Sequence, residues 1–143
     1  MNPLVYKVGT KLLGVHQWVY DVTDGRIGRS IGGRPMLLLR HVGAKTGKHR
    51  TSALLYVPYE KSYAVIASKG GDPKHPGWYH NLVANPDVEV QVGRDKVAVR
   101  ARVAEGDERE KLWTQADTIN EGQYAQYQSL TDRKIPVVVL DPR

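Results

Sequence analysis

The sequence predicts a small, mostly antiparallel β-barrel flanked by a few helices. Two observations carry that expectation. Short apolar, β-branched runs recur along the chain, at Met36–Val42, Thr51–Tyr59, Ser62–Ser68, Val88–Val92, Val97–Val103 and Ile135–Leu140. Most of these runs are separated by tight, glycine-bearing or charged turns, the mark of hairpins rather than of long parallel crossovers. A chain of 143 residues suits one core, and no linker, repeat or low-complexity segment divides it. One domain over residues 1–143 is expected.

Taken in order, the chain first places Val5, Val8, Leu12, Val15 and Val19 at spacings of three and four, which predicts an amphipathic helix over residues 1–20. Gly9 and Gly14 weaken it by about 1 kcal/mol each, so it needs a surface to lean on, either its own domain or a membrane face. It lacks the unbroken apolar core of a signal peptide. Residues 24–35, with four glycines and three arginines, read as an exposed loop. The strand Met36–Val42 then turns at Gly43–Arg50 into the strand Thr51–Tyr59. The Walker spacing fails at that turn, because Gly47-Lys48 is followed by His49 and no helix follows. A hairpin whose rim carries Lys45, Lys48 and Arg50 fits better.

The third strand, Ser62–Ser68, leads into the turn Ser68-Lys69-Gly70-Gly71 and then into a helix opened by Pro76 and stopped at Asn85-Pro86. Trp78, Asn81 and Leu82 share one face of that helix. On Val88–Val92 and Val97–Val103, Glu89, Gln91, Arg100 and Arg102 alternate with small apolar residues, which predicts one wet and one packed face. Asp107 with Glu110 resembles a capping box, and Leu112, Ala116 and Ile119 continue its helix toward Asn120. Tyr124 and Tyr127 follow, then the turn Thr131–Lys134 and the last strand.

Composition narrows the chemistry. There are no cysteines, which removes disulfides, iron–sulfur ligation, zinc–thiolate sites and thiol nucleophiles together, and is compatible with the cytoplasm. The five histidines show no metal-ligand spacing, so no metal site is expected. No nucleophile elbow and no Gly-rich dinucleotide fingerprint is present. No apolar run is long enough to span a bilayer. Redox activity would therefore need a bound organic cofactor. The net charge of +6 is local: residues 26–50 hold seven basic side chains and no acidic one, which leaves the rest of the chain at −1. A local excess points to an anionic ligand, not to a general nucleic-acid coat. Lys45, Lys48 and Arg50 are suited to grip a phosphate as charge-assisted donors.

The densest stretch is Val65–Ala84. A buried strand end opens into a glycine turn where a ligand can approach the backbone, and a helix follows with one aromatic and one amide on a shared face. Such a wall suits a flat polar ligand, although Trp78 also fits as a core plug.

Two blocks carry a family resemblance. Ala67-Ser68-Lys69-Gly70-Gly71 followed by Pro76–Pro86, and Tyr124–Ser129 followed by Thr131–Pro136, resemble the signatures of the deazaflavin-dependent nitroreductase family of actinobacteria. The Gly43–Arg50 hairpin and the Val5–Tyr20 helix match as well, so the likeness covers nearly the whole chain. The resemblance implies a split β-barrel of the FMN-binding, pyridoxine-oxidase-like type, and a reductase that passes a hydride from reduced coenzyme F420 to a small conjugated, electron-poor acceptor such as a quinone or nitroaromatic. FMN is the less favoured ligand, and a non-catalytic deazaflavin carrier is the alternative. By the same resemblance Lys45, Thr46 and Arg50 belong to the phosphate region. Ala67, Ser68, Lys69 and Gly70 border the ring, with Trp78 and Asn81 alongside it. Tyr124 and Tyr127 line the substrate side, and the proton that completes reduction is expected from Ser68, a tyrosine hydroxyl or solvent. Leu55 and Glu121 stand where the nitroimidazole-activating member has pocket tyrosines, so substrate identity does not carry over.

Overall fold

The computed structural model describes residues 30–31 and 34–143. The helix expected over residues 1–20, Arg26 and Arg29 lie outside the described residues. The described chain forms β1 (Ser30–Ile31), β2 (Arg34–Val42), β3 (His49–Leu55), β4 (Val57–Tyr59), β5 (Ser62–Ile66), a 3-10 turn (Lys69–Gly71), α1 (Gly77–Ala84), β6 (Asp87–Val92), β7 (Asp95–Val103), α2 (Gly106–Ile119), α3 (Gln123–Ser129) and β8 (Val137–Pro142).

Every strand pairing is antiparallel. β3 pairs with β2, and from β2 the sheet continues β6-β7-β8-β5-β4. Its two extreme strands, β3 and β4, are separated in sequence by Tyr56 alone. Strands joined by one residue must lie together at that link, so the sheet curls into a half-barrel. The expected single strand Thr51–Tyr59 is thus two, and Tyr56 is the corner, its amide donating to the Pro35 carbonyl at 3.1 Å.

The central strands are buried on both faces, which explains their unbroken apolar runs. Along β8, Val138 and Leu140 face one core cluster while Val137 and Val139 face a second. The first cluster is completed by Leu37, Leu39, Val65 and, from α1, Trp78 and Leu82. The second is closed by Leu112 and Ala116 of α2 and Tyr124 of α3. Each such aliphatic side chain contributes about 1.5–3 kcal/mol on burial, and this double layer fixes where the helices sit.

Four local expectations need correction. The loop expected over residues 24–35 already contains strand at Ser30–Ile31 and from Arg34 onward. Pro76 stands just outside α1 as its cap rather than at its first position. The Asp107–Glu110 capping box does not form: Glu105 is the cap residue, Asp107 lies within the first turn, and Glu110 pairs with Arg109 at 2.8 Å. An acidic first turn still favours the helix through its dipole. Gln91, expected on the wet face, is buried, and it accepts from Arg40 Nη2 at 2.9 Å and donates to the Gly93 carbonyl at 3.0 Å. Among the described residues no helix is long and apolar enough to cross a membrane.

Candidate functional site

The hairpin between β2 and β3 is closed by the amides of Gly43 and Gly47, which donate to the Lys48 and Gly43 carbonyls at 2.9 Å each. A side chain at residue 43 would place its Cβ 2.5 Å from Thr46 Oγ1, so any other residue would displace that hydroxyl. Thr46 uses that oxygen to accept from the Lys48 amide at 3.2 Å. Lys45, Thr46, Lys48 and Arg50 are all exposed. Among the described residues, no carboxylate stands within ion-pair distance of Lys45, Lys48, Arg50 or Lys69.

The two other described arginines of the basic segment behave differently. Arg34 pairs with Glu121 at 3.0 Å and donates from Nε to the Ile119 carbonyl. Arg40 donates to Thr51 Oγ1 and Gln91 Oε1. These two guanidinium groups tie elements together, and among the described residues of the segment the cations left for an anion cluster at the hairpin.

Helix α1 holds the hairpin in place. Asn81, 9% exposed, accepts the Ala44 amide on Oδ1 at 2.9 Å. Its Nδ2 lies 2.9 Å from Nδ1 of His41, whose Nε2 lies 2.9 Å from Ser52 Oγ. His41 is only 4% exposed, and burial together with the nearby Arg50 charge holds its pKa below the usual histidine value. Asn81 therefore faces the hairpin, and Trp78, 8% exposed, is packed into the first core cluster, the core-plug alternative raised by the sequence.

The turn after β5 carries Ala67, Ser68, Lys69 and Gly70. Ala67 is fully buried, while the other three are part-exposed. Lys69 and Gly70 both adopt positive φ, 46° and 63°. For a lysine that conformation is strained and persists only where its surroundings over-determine it. Arg133 does so: its guanidinium donates to the carbonyls of Asp72 at 2.8 Å, Ala67 at 3.2 Å and Ser68 at 2.8 Å, and lies 3.0 Å from His75 Nδ1. The sequence marks residues 131–134 as a turn within a family-like block, but nothing local signals a clamp that spans more than 55 residues.

The tyrosine helix α3 packs on the same turn. Gly71, at φ 84°, leaves no room for a Cβ, which would meet the Tyr127 carbonyl at 2.7 Å. Tyr124 is 6% exposed, and burial, its largest cause, raises its pKa well above the usual phenol range. Tyr127 is half-buried and donates to Gln123 Oε1 at 3.2 Å. Ser68 has no side-chain partner given by the turn's own cap. Glu121 is committed to the ion pair with Arg34, and Leu55 packs against the second core cluster.

The hairpin rim is thus bonded to α1 and the glycine turn leads into α1, with α3 packed against the turn. Among the described residues no group of three or more metal-ligating side chains converges. An open groove of about 280 Å³ lies elsewhere, between α1 and β7, lined by Tyr79, Leu82, Val83, Pro86, Ala101 and Val103 among others. It shares no lining residue with the rim or the turn.

Comparison with known proteins adds four findings. The family model for F420H(2)-dependent quinone reductases matches residues 12–142. An F420H(2)-dependent quinone reductase of Mycobacterium tuberculosis strain H37Rv is 48% identical over 139 residues, which covers 95% of this chain and 93% of that protein. The solved F420-H2 dependent reductase FDR-A is 48% identical, with a TM-score of 0.69 over 76% of this chain and 95% of its own. At 13% identity, a pyridoxamine 5′-phosphate oxidase-type protein of Listeria innocua shares the fold with a TM-score of 0.53, over 76% of this chain and 83% of its own.

Proposed function

The chain belongs to the F420H(2)-dependent quinone reductase family, and on that premise we propose that it reduces a quinone or a comparably electron-poor conjugated acceptor with reduced coenzyme F420. One observation carries the reading at the level of this molecule: three cations, Lys45, Lys48 and Arg50, stand without carboxylate partners among the described residues, on a hairpin that is hydrogen-bonded to the helix following the glycine turn. A deazaflavin with a phosphate and a glutamate tail offers the negative charge those cations lack. The residues fit the group. When bound, it would supply the hydride that the chain's own side chains do not carry.

The protein's part is then to bind and orient. Lys45, Thr46 and Arg50 take the phosphate end, with charge-assisted hydrogen bonds of about 1.5–3 kcal/mol each. Ser68, Lys69 and Gly70 border the ring, at a turn whose shape Arg133 enforces. Asn81 and Trp78 act from behind, one holding the hairpin and the other supporting the wall from the core. Tyr127 and Tyr124 close the acceptor side. A phenol raised as far as that of Tyr124 stays neutral, so it serves as a hydrogen-bond donor to an acceptor oxygen and not as a base. Holding the reactants in contact and away from water is the main catalytic task that remains.

Anaerobic mixing of the protein with reduced coenzyme F420 and a short-chain quinone tests the reading. Oxidation of the deazaflavin at a rate proportional to enzyme is expected. Tight binding without turnover on quinones or nitroaromatics would favour a carrier instead, and absence of both would end the proposal.

A further inference from the structure

The hairpin amide of Ala44 imposes an order on three buried side chains. A backbone N–H only donates, so Asn81 Oδ1 must be its acceptor and Asn81 Nδ2 must be the group facing His41. An amide nitrogen only donates, so His41 Nδ1 accepts and carries no proton. The ring proton of a neutral His41 is then on Nε2, which donates to Ser52 Oγ at 2.9 Å. Every polar atom in this relay has one assignment, and it is fixed from the backbone outward.

We propose that His41 and Asn81 are positioning residues for coenzyme binding: the neutral Nε2–H form of His41 orients Asn81, and Asn81 locks the cationic hairpin at Ala44. This rests on the reading that the hairpin takes the anionic end of the coenzyme. Neither side chain touches the ligand; both act through the hairpin. Ala44 immediately precedes Lys45 and Thr46, so the anchored amide is adjacent to the gripping residues. Unanchored, the tip would hold its charges in several arrangements and bind only through the productive fraction.

The relay fails when His41 is protonated, because its Nδ1 then carries a hydrogen aimed at the hydrogens of Asn81. Among the described residues, the groups facing the ring are Asn81 from α1, and Ser52 and Arg50 from β3, where Arg50 is its register partner. Arg50 is the charged group that acts on it, and it opposes protonation. On β6, Glu89 stands opposite Arg40 and not opposite His41.

The decisive variant is Asn81→Asp. One carboxylate oxygen still accepts the Ala44 amide, but the other can only accept, so it requires a proton on His41 Nδ1. The wild type should lose affinity for coenzyme F420 on acidification, while Asn81→Asp recovers part of its loss. The variant-to-wild-type affinity ratio, in which the coenzyme's own titrations cancel, should rise by roughly tenfold between about pH 7.5 and about pH 5.5. A support of purely structural kind predicts no such reversal, and a ratio flat or falling with acid overturns the proposal. Ser52→Ala, outside the turn, should speed exchange of the Ala44 amide and weaken binding by roughly threefold; no change in either overturns it as well. In the coenzyme-free protein, nitrogen chemical shifts must show His41 unprotonated at Nδ1 and protonated at Nε2 at neutral pH. The opposite tautomer refutes the relay even if the wild type binds no coenzyme, an outcome that would instead sink the functional reading.

Discussion

Arginines and lysines do opposite jobs in two regions of this molecule. Where β7 meets α2, Arg102 donates to Asp141 at 2.7 Å and to Glu108 at 2.5 Å, while Tyr59 donates to Glu108 at 2.9 Å and Ser62 to Asp141 at 2.6 Å. Arg100 is bidentate on Asp87, at 2.6 and 3.0 Å. At the β2–β3 hairpin, Lys45, Lys48 and Arg50 have no such partners among the described residues, and the hydrogen bonds there fix the backbone instead. A cation whose donors are already taken by carboxylates supports the fold. One held in place with its donors open is prepared for something that arrives. Net charge does not separate the two, whereas partner geometry does.

The sharpest way to break the contrast is to empty the hairpin. Lys45→Ala with Arg50→Ala should weaken coenzyme F420 binding by roughly 100-fold or more, at about 1.5–3 kcal/mol per charge-assisted contact. Thermal stability should hardly change, because both side chains are exposed. A fluorescence titration beside a melting curve reads both, and unchanged affinity would remove the two residues from the site.

The same contrast marks what the sequence makes legible. Strand positions, the antiparallel class and the buried face Trp78–Asn81–Leu82 follow from periodicity, since two-sided burial of β2, β5 and β8 leaves continuous apolar runs. The charged segment is legible only in outline. Arg34 and Arg40 look like Lys45 and Arg50 in sequence, yet their partners Glu121 and Gln91 come from far along the chain. Gln91 is misread for the same reason: a polar residue on an alternating strand looks wet until the part-buried guanidinium of Arg40 is found against it. Arg133 and His41 are missed because each acts through contacts set by curling the sheet, which no local pattern records.

Arg133 lies between the two regimes, a cation fully engaged, but with carbonyls of the site. Arg133→Lys keeps the charge and cannot bridge three carbonyls at once. Loss of roughly 2–4 kcal/mol of stability is expected from donor bonds of this charged type. Weaker F420 binding should accompany it, as the positive-φ turn relaxes at Lys69. If denaturant unfolding shows that stability loss while coenzyme affinity stays at the wild-type value, the turn is structural and does not border the ligand.

Arg102→Met gives a smaller effect of opposite selectivity. The ion pairs are partly exposed, so about 1 kcal/mol or less is expected from their removal, with no change in coenzyme affinity. A measurable affinity loss would mean that the β7–α2 network and the hairpin are coupled, and the division drawn between them would fail.

The smallest effect is a difference in how the regions respond to acid. His41 and His75 have pKa values below the ordinary histidine value, by burial first and then by Arg50 and Arg133 respectively. Above about pH 6.5 neither the folded nor the unfolded chain protonates them. Below it the unfolded chain takes protons that the folded one refuses, so stability declines as the pH falls. Glu108 and Asp141 are lowered by their bonds to Arg102 and, respectively, Tyr59 and Ser62, although burial opposes the shift and is the largest single influence on Asp141. Their stabilisation is complete above the unfolded carboxylate values near pH 4 and is lost only as the pH falls through the lowered native ones. Melting curves against pH should therefore show two separate descents. His41→Gln should flatten part of the upper descent and leave the lower intact, the His75 share remaining. Arg102→Met should do the reverse. If both substitutions act on the same descent, then the two regions titrate as one unit, and the open cations of the hairpin owe their arrangement to the satisfied ones of the β7–α2 corner.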